Sequence, residues 1–256
     1  MTNIAFVGGA GRMGQALAAG CAELPDFKVA ALVDPHEPRE RFGAPHVSSI
    51  TELDPATIDV VVDFSRPESV VASAQWCAQH HKGLVIGTTG LSAEQRAAVE
   101  QAAASTGVIM ASNFSLGAVL SERFAAMAAP YFDRVEIIEL HHDRKADAPS
   151  GTSLTTAEAI REARAAAGRV TPPEPTERLT LPEARGADAG DGIRVHSVRL
   201  PGLVAHQEVL FGGLGEGLTI RHDSFDRVSF VQGVALAARH VGAVQGLVIG
   251  IESFLN

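Results

Sequence analysis

The stretch Ile4-Ala5-Phe6-Val7-Gly8-Gly9-Ala10-Gly11-Arg12-Met13-Gly14 decides the fold class. A short apolar run ending in glycine reads as a buried strand. From Arg12 to Glu23 the chain is rich in alanine, with Met13, Leu17 and Cys21 four residues apart, the spacing of one helix face. Between strand and helix, Gly9-Ala10-Gly11-Arg12-Met13-Gly14 fits the pattern G-x-G-x-x-G. The geometry behind those letters is strict. One glycine allows the tight turn, another lets the backbone approach a pyrophosphate, and a third lets helix and strand pack closely while the helix N-terminus faces the phosphates. Asp34 lies twenty residues past Gly14, at the end of the next strand-like run, Val29–Val33. That is the position from which an acid holds a ribose hydroxyl. The spacing therefore predicts a dinucleotide loop of Gly8, Gly9, Ala10, Gly11, Arg12 and Met13, with Asp34 on the ribose. A carboxylate there accepts from the 2′-hydroxyl of NADH and repels the 2′-phosphate of NADPH. Pro35 and His36 stand where an arginine would favour NADPH, while Arg12 and Arg39 remain within reach of a phosphate. NADH is expected to be preferred and NADPH tolerated.

Further strand and helix signals alternate downstream. Val60–Val62 with Phe64, Leu84–Ile86 and Val108–Met110 read as buried strands. Pro67 opens a helix, and Ser92 with Gln95 forms a capping-box pair at the start of another. Apolar strands separated by helices indicate a parallel sheet covered on both faces. Ligands of such sheets bind beyond the carboxyl ends of the strands. Gly87-Thr88-Thr89-Gly90 and Ala111-Ser112-Asn113-Phe114 follow two of those strands, so both reach the same crevice. Small hydroxyl residues there suit close approach to a nicotinamide and hydrogen bonding to its carboxamide.

The pattern changes after about residue 130. Arg134–His142 reads as one long strand, Thr152–Ala167 as a helix, and Thr171–Pro175 and Gly186–Gly192 as loops. Ile193–Leu200, Val204–Phe211 and Gly217–His222 read as strands of an antiparallel or mixed sheet. A helix over Arg227–Val241 and a strand near Leu247–Ile251 resemble the first part again. The fold class expected is α/β: a Rossmann-type parallel-sheet domain, an α+β mixed-sheet domain, and a C-terminal segment returning to the first. The boundaries follow as 1–113 with 226–256, and 114–225.

Composition narrows the function. The 256 residues carry a formal charge of −9, with acids and bases interspersed, so no basic patch for nucleic acid is expected. No window approaches the roughly 18 apolar residues of a membrane span. The N-terminal residues show no charged leader, so a cytoplasmic protein is expected. Cys21 and Cys77, both in helix-like stretches, read as buried free thiols of a reducing compartment.

Chemistry concentrates in Glu139-Leu140-His141-His142-Asp143-Arg144-Lys145-Ala146-Asp147-Ala148-Pro149-Ser150-Gly151-Thr152. Adjacent histidines on a strand point to opposite faces, and no H-x-x-x-H or cysteine partner is near, so no metal is expected. Acid/base chemistry fits better. Histidine exchanges protons near neutral pH, and Lys145 supplies a cation. Ser150-Gly151-Thr152 opens a helix whose first amides and positive dipole end suit a carboxylate. An acidic chain thus gains a local anion site.

These motifs together, with Asn113-Phe114-Ser115, resemble those of the dihydrodipicolinate reductase family, and the resemblance runs from the first strand to about His222. It implies a dinucleotide-binding domain and a substrate-binding and oligomerisation domain joined by hinges. It also implies a homotetramer built through the second domain's sheets. It implies NAD(P)H-dependent reduction of a cyclic dicarboxylate in the diaminopimelate route to lysine. By resemblance His141 is the proton donor and acceptor and Lys145 a proton donor. His142, Lys145, Gly151 and Thr152 hold the substrate carboxylates. Gly8 to Met13, Asp34, Gly87 to Thr89 and Ala111 to Phe114 contact the cofactor. Asp34 departs from members with glutamate followed by arginine, which bears on cofactor choice. Two other readings compete: another two-domain dehydrogenase of a small anion, and a non-catalytic dinucleotide sensor.

Overall fold

In the first strand every residue from Ile4 to Val7 is buried, so both faces are covered, as an apolar run without alternation requires. The computed structural model describes residues 1–255. The chain divides into two units, one of residues 1–116 with the stretch from Arg227 onward, the other Gly117–Asp226. In chain order the strands are β1 (Thr2–Val7), β2 (Phe27–Val33), β3 (His46–Val47), β4 (Val60–Asp63), β5 (Gly83–Ile86) and β6 (Val108–Met110). They continue with β7 (Arg134–His141), β8 (Ala187–Asp188), β9 (Arg194–Arg199), β10 (Ala205–Gly213), β11 (Glu216–Ser224) and β12 (Leu247–Ile249). The helices are α1 (Arg12–Ala22), α2 (Pro67–His80), α3 (Ala93–Ala103), α4 (Leu116–Ala128), α5 (Gly151–Ala166) and α6 (Val231–His240).

The first unit is a seven-stranded parallel sheet in the order β12-β6-β5-β4-β1-β2-β3. Ala5, Val7, Ala31, Val33 and Val61 pack with Val70, Ala74 and Cys77 of α2 and Val99 and Ala102 of α3. The alternate residues Ile4, Phe6, Leu32 and Val62 are also buried, so helices cover both faces. Pro67 is the first residue of α2, and Ser92 and Gln95 form the reciprocal capping box of α3. The C-terminal segment completes this sheet: β12 lies parallel to β6, with Leu247 opposite Val108. The run read as one helix over Arg227–Val241 is split into α6 and two flanking 3₁₀ turns. Cys21 and Cys77 are free and buried. Burial pushes the Cys21 thiol up to about 12, and it raises Cys77 as well, so neither is a nucleophile.

The second unit is a five-stranded mixed sheet in the order β11-β10-β7-β9-β8. Only β7 and β9 are parallel; the other pairs are antiparallel. Val135, Ile137, Val195, Val209 and Phe211 pack against Ala125 of α4 and Ala157 and Ile160 of α5. The other face carries ion pairs, with Glu136 between Arg185 and His196, and Arg221 between Glu208 and Asp223. Besides the two-residue edge strand β3, two elements escape the sequence reading. Helix α4 is one, because Leu116–Ala128 is apolar nearly throughout and leaves Phe124 and Met127 exposed, so no clean stripe marks it. The other is β8, two residues inside the stretch read as a loop, which exist as a strand only because β9 is there to pair with. No helix among the described residues is long and apolar enough to cross a membrane.

The tightest packing lies in the turn from β1 to α1. Gly8 has φ +81°, a left-handed conformation that glycine adopts without the steric cost other residues meet. At Gly14 an added Cβ would stand 2.1 Å from the carbonyl oxygen of Gly8. That neighbour is backbone and cannot rotate away. Gly14→Ala is therefore expected to destabilise the chain by about 1–3 kcal/mol. Urea titration followed by fluorescence checks this, and a midpoint equal to wild type would show that the turn has room to spare.

Candidate active site

In the first unit the glycine loop is tied down on several sides. The amides of Gly8 and Gly9 donate to Val33 O at 2.9 and 3.2 Å, and Gly11 N–H donates to Gly8 O at 3.0 Å. Gln15 Nε2 reaches back to Gly9 O at 2.7 Å. Helix α1 then starts after Gly11, a cap without a side chain, and both Gly11 and Arg12 are exposed. An open helix N-terminus has amides to offer an anion. The Gly8–Gly14 approach brings the backbone where a side chain would block it. These residues fit a dinucleotide.

Asp34 follows β2 directly and serves the loop as well as the turn. Its Oδ2 accepts from Ala10 N–H at 3.1 Å, and its Oδ1 accepts from His36 N–H at 2.9 Å. The exposed His36 ring lies 3.3 Å from the same Oδ1. Thus the sequence-predicted ribose acid also fixes the glycine loop. Arg12 and Arg39 are both exposed.

The loops after β5 and β6 reach the same carboxyl end of the sheet. Gly87 N–H donates to Asp63 O at 2.9 Å, and Ala111 N–H to Ile86 O at 3.0 Å. Of the two hydroxyls offered by the sequence, Thr88 is already committed. Its Oγ1 donates to Asp63 Oδ1 at 2.9 Å and accepts from Ser65 N–H at 2.9 Å. Thr89 is exposed, as is Ser112. The Phe114 side chain is fully buried against Phe64, ring centroids 5.5 Å apart. Asn113 turns the backbone, its Oδ1 accepting from Ser115 N–H at 2.9 Å.

Sequence reasoning missed Asp63. It is fully buried at the end of β4 and accepts from Ser65 N–H and Oγ, Ser73 Oγ and Thr88 Oγ1 at 2.6–3.1 Å. An acid closing a run of three valines was the available signal.

In the second unit, β7 brings Val135, Ile137, Glu139 and His141 to one face by the period of two. His141 Nδ1 is hydrogen-bonded to Glu139 Oε2. Glu139 is fully buried, and Arg199 from the neighbouring β9 grips it with two bonds of 2.8 and 2.7 Å. Its other oxygen accepts from Ser150 N–H at 3.3 Å. Burial alone would raise the Glu139 carboxyl, but hydrogen bonds from Arg199, Ser197 and His141 outweigh it and hold the group below the usual carboxylate range. For His141, burial lowers the proton affinity; Glu139 pulls it up, while Lys145 and Arg199 push it down, and the net shift is downward.

Beyond β7 the chain folds back. Lys145 N–H donates to His142 O at 3.2 Å, and Lys145 Nζ pairs with the Asp147 carboxylate at 2.7 and 2.8 Å. Arg199 also donates to Asp147 O at 2.7 Å, so one guanidinium holds both strand and loop. The Ala148–Pro149 peptide is cis. Ser150 caps α5 and is buried: its Oγ accepts from Ser153 N–H at 3.2 Å and shares a bond of 2.8 Å with Ser153 Oγ. The Ser150 hydroxyl, in the segment read as a carboxylate cradle, is thus spent on the cap. Gly151, next along, is exposed, with open space where a Cβ would stand. Thr152 completes the first turn, and its carbonyl accepts from Thr156 Oγ1 at 2.8 Å. His142 Nδ1 is buried without a hydrogen-bond partner among the described residues. Within this unit the structure therefore brings His141, His142, Lys145 and the α5 N-terminus into one junction. It adds Glu139 and Arg199, which the sequence reading quoted or passed without a role. Among the described residues no group of three or more His, Cys, Asp or Glu is placed to hold a metal ion.

The comparisons with known proteins agree on one family. Residues 2–114 match the model described as dihydrodipicolinate reductase, N-terminus, and residues 117–255 the corresponding C-terminus. The chain is 47% identical to a 4-hydroxy-tetrahydrodipicolinate reductase of Nocardia farcinica, over 99% of this chain and 98% of the relative. It is 40% identical to the solved, dipicolinate-bound dihydrodipicolinate reductase of Paenisporosarcina sp. TG-14, with a TM-score of 0.88 and full coverage of both chains. A myo-inositol dehydrogenase of Corynebacterium glutamicum, 17% identical with a TM-score of 0.63 over 96% of this chain and 90% of its own, shares the fold alone. Two halves matched in order, with identity above 40% along the whole length, place the chain in the dihydrodipicolinate reductase family.

Proposed function

We propose that this chain catalyses the reaction of its relatives: NAD(P)H-dependent reduction of 4-hydroxy-tetrahydrodipicolinate to tetrahydrodipicolinate, with the 4-hydroxyl released as water, in the diaminopimelate route to lysine. The observation that carries it is the junction in which His141, Lys145 and the exposed start of α5 meet. When bound, NAD(P)H supplies the hydride. The first unit is the dinucleotide-binding domain and the second the substrate-binding and oligomerisation domain. Gly8, Gly9, Ala10, Gly11, Arg12 and Met13 would hold the pyrophosphate and Asp34 the ribose. Gly87, Thr88 and Thr89, with Ala111, Ser112, Asn113 and Phe114, would frame the nicotinamide, Thr88 through its backbone because its hydroxyl is engaged.

On the substrate side, His142, Lys145, Gly151 and Thr152 hold the two carboxylates, and Ser150 acts by capping the helix that presents Gly151. Orienting both carboxylates fixes which ring carbon faces the cofactor. Reduction leaves negative charge on the conjugated system, which a nearby ammonium stabilises and a proton donor discharges. Lys145 supplies the cation; its bond to the exposed Asp147 is one that a substrate carboxylate can replace. His141 exchanges the proton. The ion-paired face of the second sheet, where Ile138, Leu140, Val198 and Leu210 are only partly buried, is the surface through which we read a homotetramer. We place the enzyme in the cytoplasm, where its cofactor and substrate are made.

A coupled assay tests the function. Dihydrodipicolinate synthase supplies the unstable substrate in place, and loss of NADH and NADPH absorbance is followed separately. Substrate-dependent oxidation is expected; cofactor binding without consumption would favour a sensor. His141→Gln is expected to lower kcat about 10²- to 10⁴-fold while leaving the NADH Kd unchanged. Lys145→Ala is expected to lower kcat and raise the substrate KM together, and an unchanged pair of constants would remove Lys145 from the site. Asp34→Ala is expected to weaken NADH and shift the NADPH-to-NADH affinity ratio by about tenfold towards NADPH, or about 1.4 kcal/mol, measured by fluorescence titration. An unchanged ratio would leave Asp34 a turn residue only.

A further inference from the structure

The carboxylate of Glu139 stands between two claimants. One oxygen meets His141 Nδ1, and both oxygens meet Arg199. An ionised carboxylate only accepts hydrogen bonds. The Nδ1 facing it must therefore carry the hydrogen, which leaves Nε2 as the ring atom free for chemistry. The imidazole's orientation is fixed by the same bond, since His141 and Glu139 sit two apart on one strand and point to one face.

We propose that Glu139 is a positioning residue: shared between Arg199 and His141, it holds the imidazole in its Nδ1–H tautomer with Nε2 presented, and Arg199 limits how much of the carboxylate's charge reaches the ring. This rests on the reading of His141 as the proton-exchanging group. The proton that moves is the one on Nε2. The Nδ1 proton stays on its nitrogen throughout, and Glu139 remains ionised.

The surroundings of His141 make the balance explicit. From its own strand it faces Glu139; from β9, Arg199; from the following loop, Lys145 and Asp147, which are paired with each other. On β10 the residue opposite is Ala205, and the start of α5 offers the uncharged Ser150, Gly151, Thr152 and Ser153. The two neighbours that bear on the imidazole through the buried carboxylate are thus one acid and one base, with opposite signs of effect.

The opposite signs supply the test. Glu139→Gln removes the attraction for a proton on His141, so the kinetic pKa of that group is expected to fall by about one pH unit or more. Arg199→Gln removes a repulsion and frees the carboxylate for the ring, so the same pKa is expected to rise by about as much. A residue that merely holds the fold together would move both profiles the same way or not at all, and either of those results overturns the proposal. Breaking a largely buried pair costs stability, and a variant that fails to fold gives no profile. The wild-type enzyme supplies the second measurement. With ¹⁵N-histidine labelling, the His141 signals (assigned by their loss in His141→Gln) are expected to report the Nδ1–H tautomer in the neutral form. An Nε2–H tautomer would overturn the proposal without any variant at Glu139. The readings separate cleanly: full turnover by His141→Gln would remove His141 from proton exchange, while the tautomer would still stand or fall by its own spectrum.

Discussion

A carboxylate withdrawn from water must be compensated where it lies, and each unit of this chain is arranged around one. Asp63 ends β4, the middle strand of the parallel sheet, and Glu139 lies near the end of β7, the middle strand of the mixed sheet. Both are fully buried. Their compensation differs. Asp63 is met by three hydroxyls and a backbone amide, and the elements that bring those donors are the turn after β4, helix α2 and the loop after β5. Glu139 is met by a guanidinium from β9, an imidazole from its own strand and the amide that starts α5. Each carboxylate thereby fixes the relative positions of the segments that carry the candidate binding residues of its unit.

The choice of partners has chemical consequences. Three hydroxyls and an amide meet Asp63 without bringing a charge to it. Glu139 is neutralised by Arg199, which leaves Lys145 as the cation at the edge of the junction, paired only with the exposed Asp147. In a chain of net charge −9, an anionic substrate needs such a local reversal of sign. The helix α5 contributes to it through its N-terminal amides and dipole. The buried cap by Ser150 keeps that terminus in place while Gly151 leaves it open.

The low-identity neighbour in structure shares the general plan of the chain but not its residues. A parallel sheet with a glycine turn is a solution to holding a dinucleotide and is reused widely. The candidate chemistry of this chain lies in the second unit's junction, where strand, loop and helix start converge within the span from Glu139 to Thr152.

Much of this was legible in the sequence because it depends on near neighbours along the chain. The glycine turn, the Pro67 and Ser92 helix starts, the uninterrupted apolar strands and the histidine-to-threonine segment are all set by local sterics, capping and periodicity. The sequence alone thus determined the parallel-sheet class, the glycine loop and the identity of His141 and Lys145 as candidates. Tertiary structure decided which polar groups remain available for chemistry. That Thr88 spends its hydroxyl on Asp63, that Asp34 holds the glycine loop, and that Arg199, sixty residues from Glu139, clamps its carboxylate all follow from which segments the sheets bring together. Helix α4 and strand β8 belong with them, one hidden by uniform apolarity and the other existing only through its partner. The physical reason is common to these cases: hydrogen-bond and ion-pair partners of buried polar groups are chosen by proximity in space, and pairing across a sheet is not encoded by spacing along the chain.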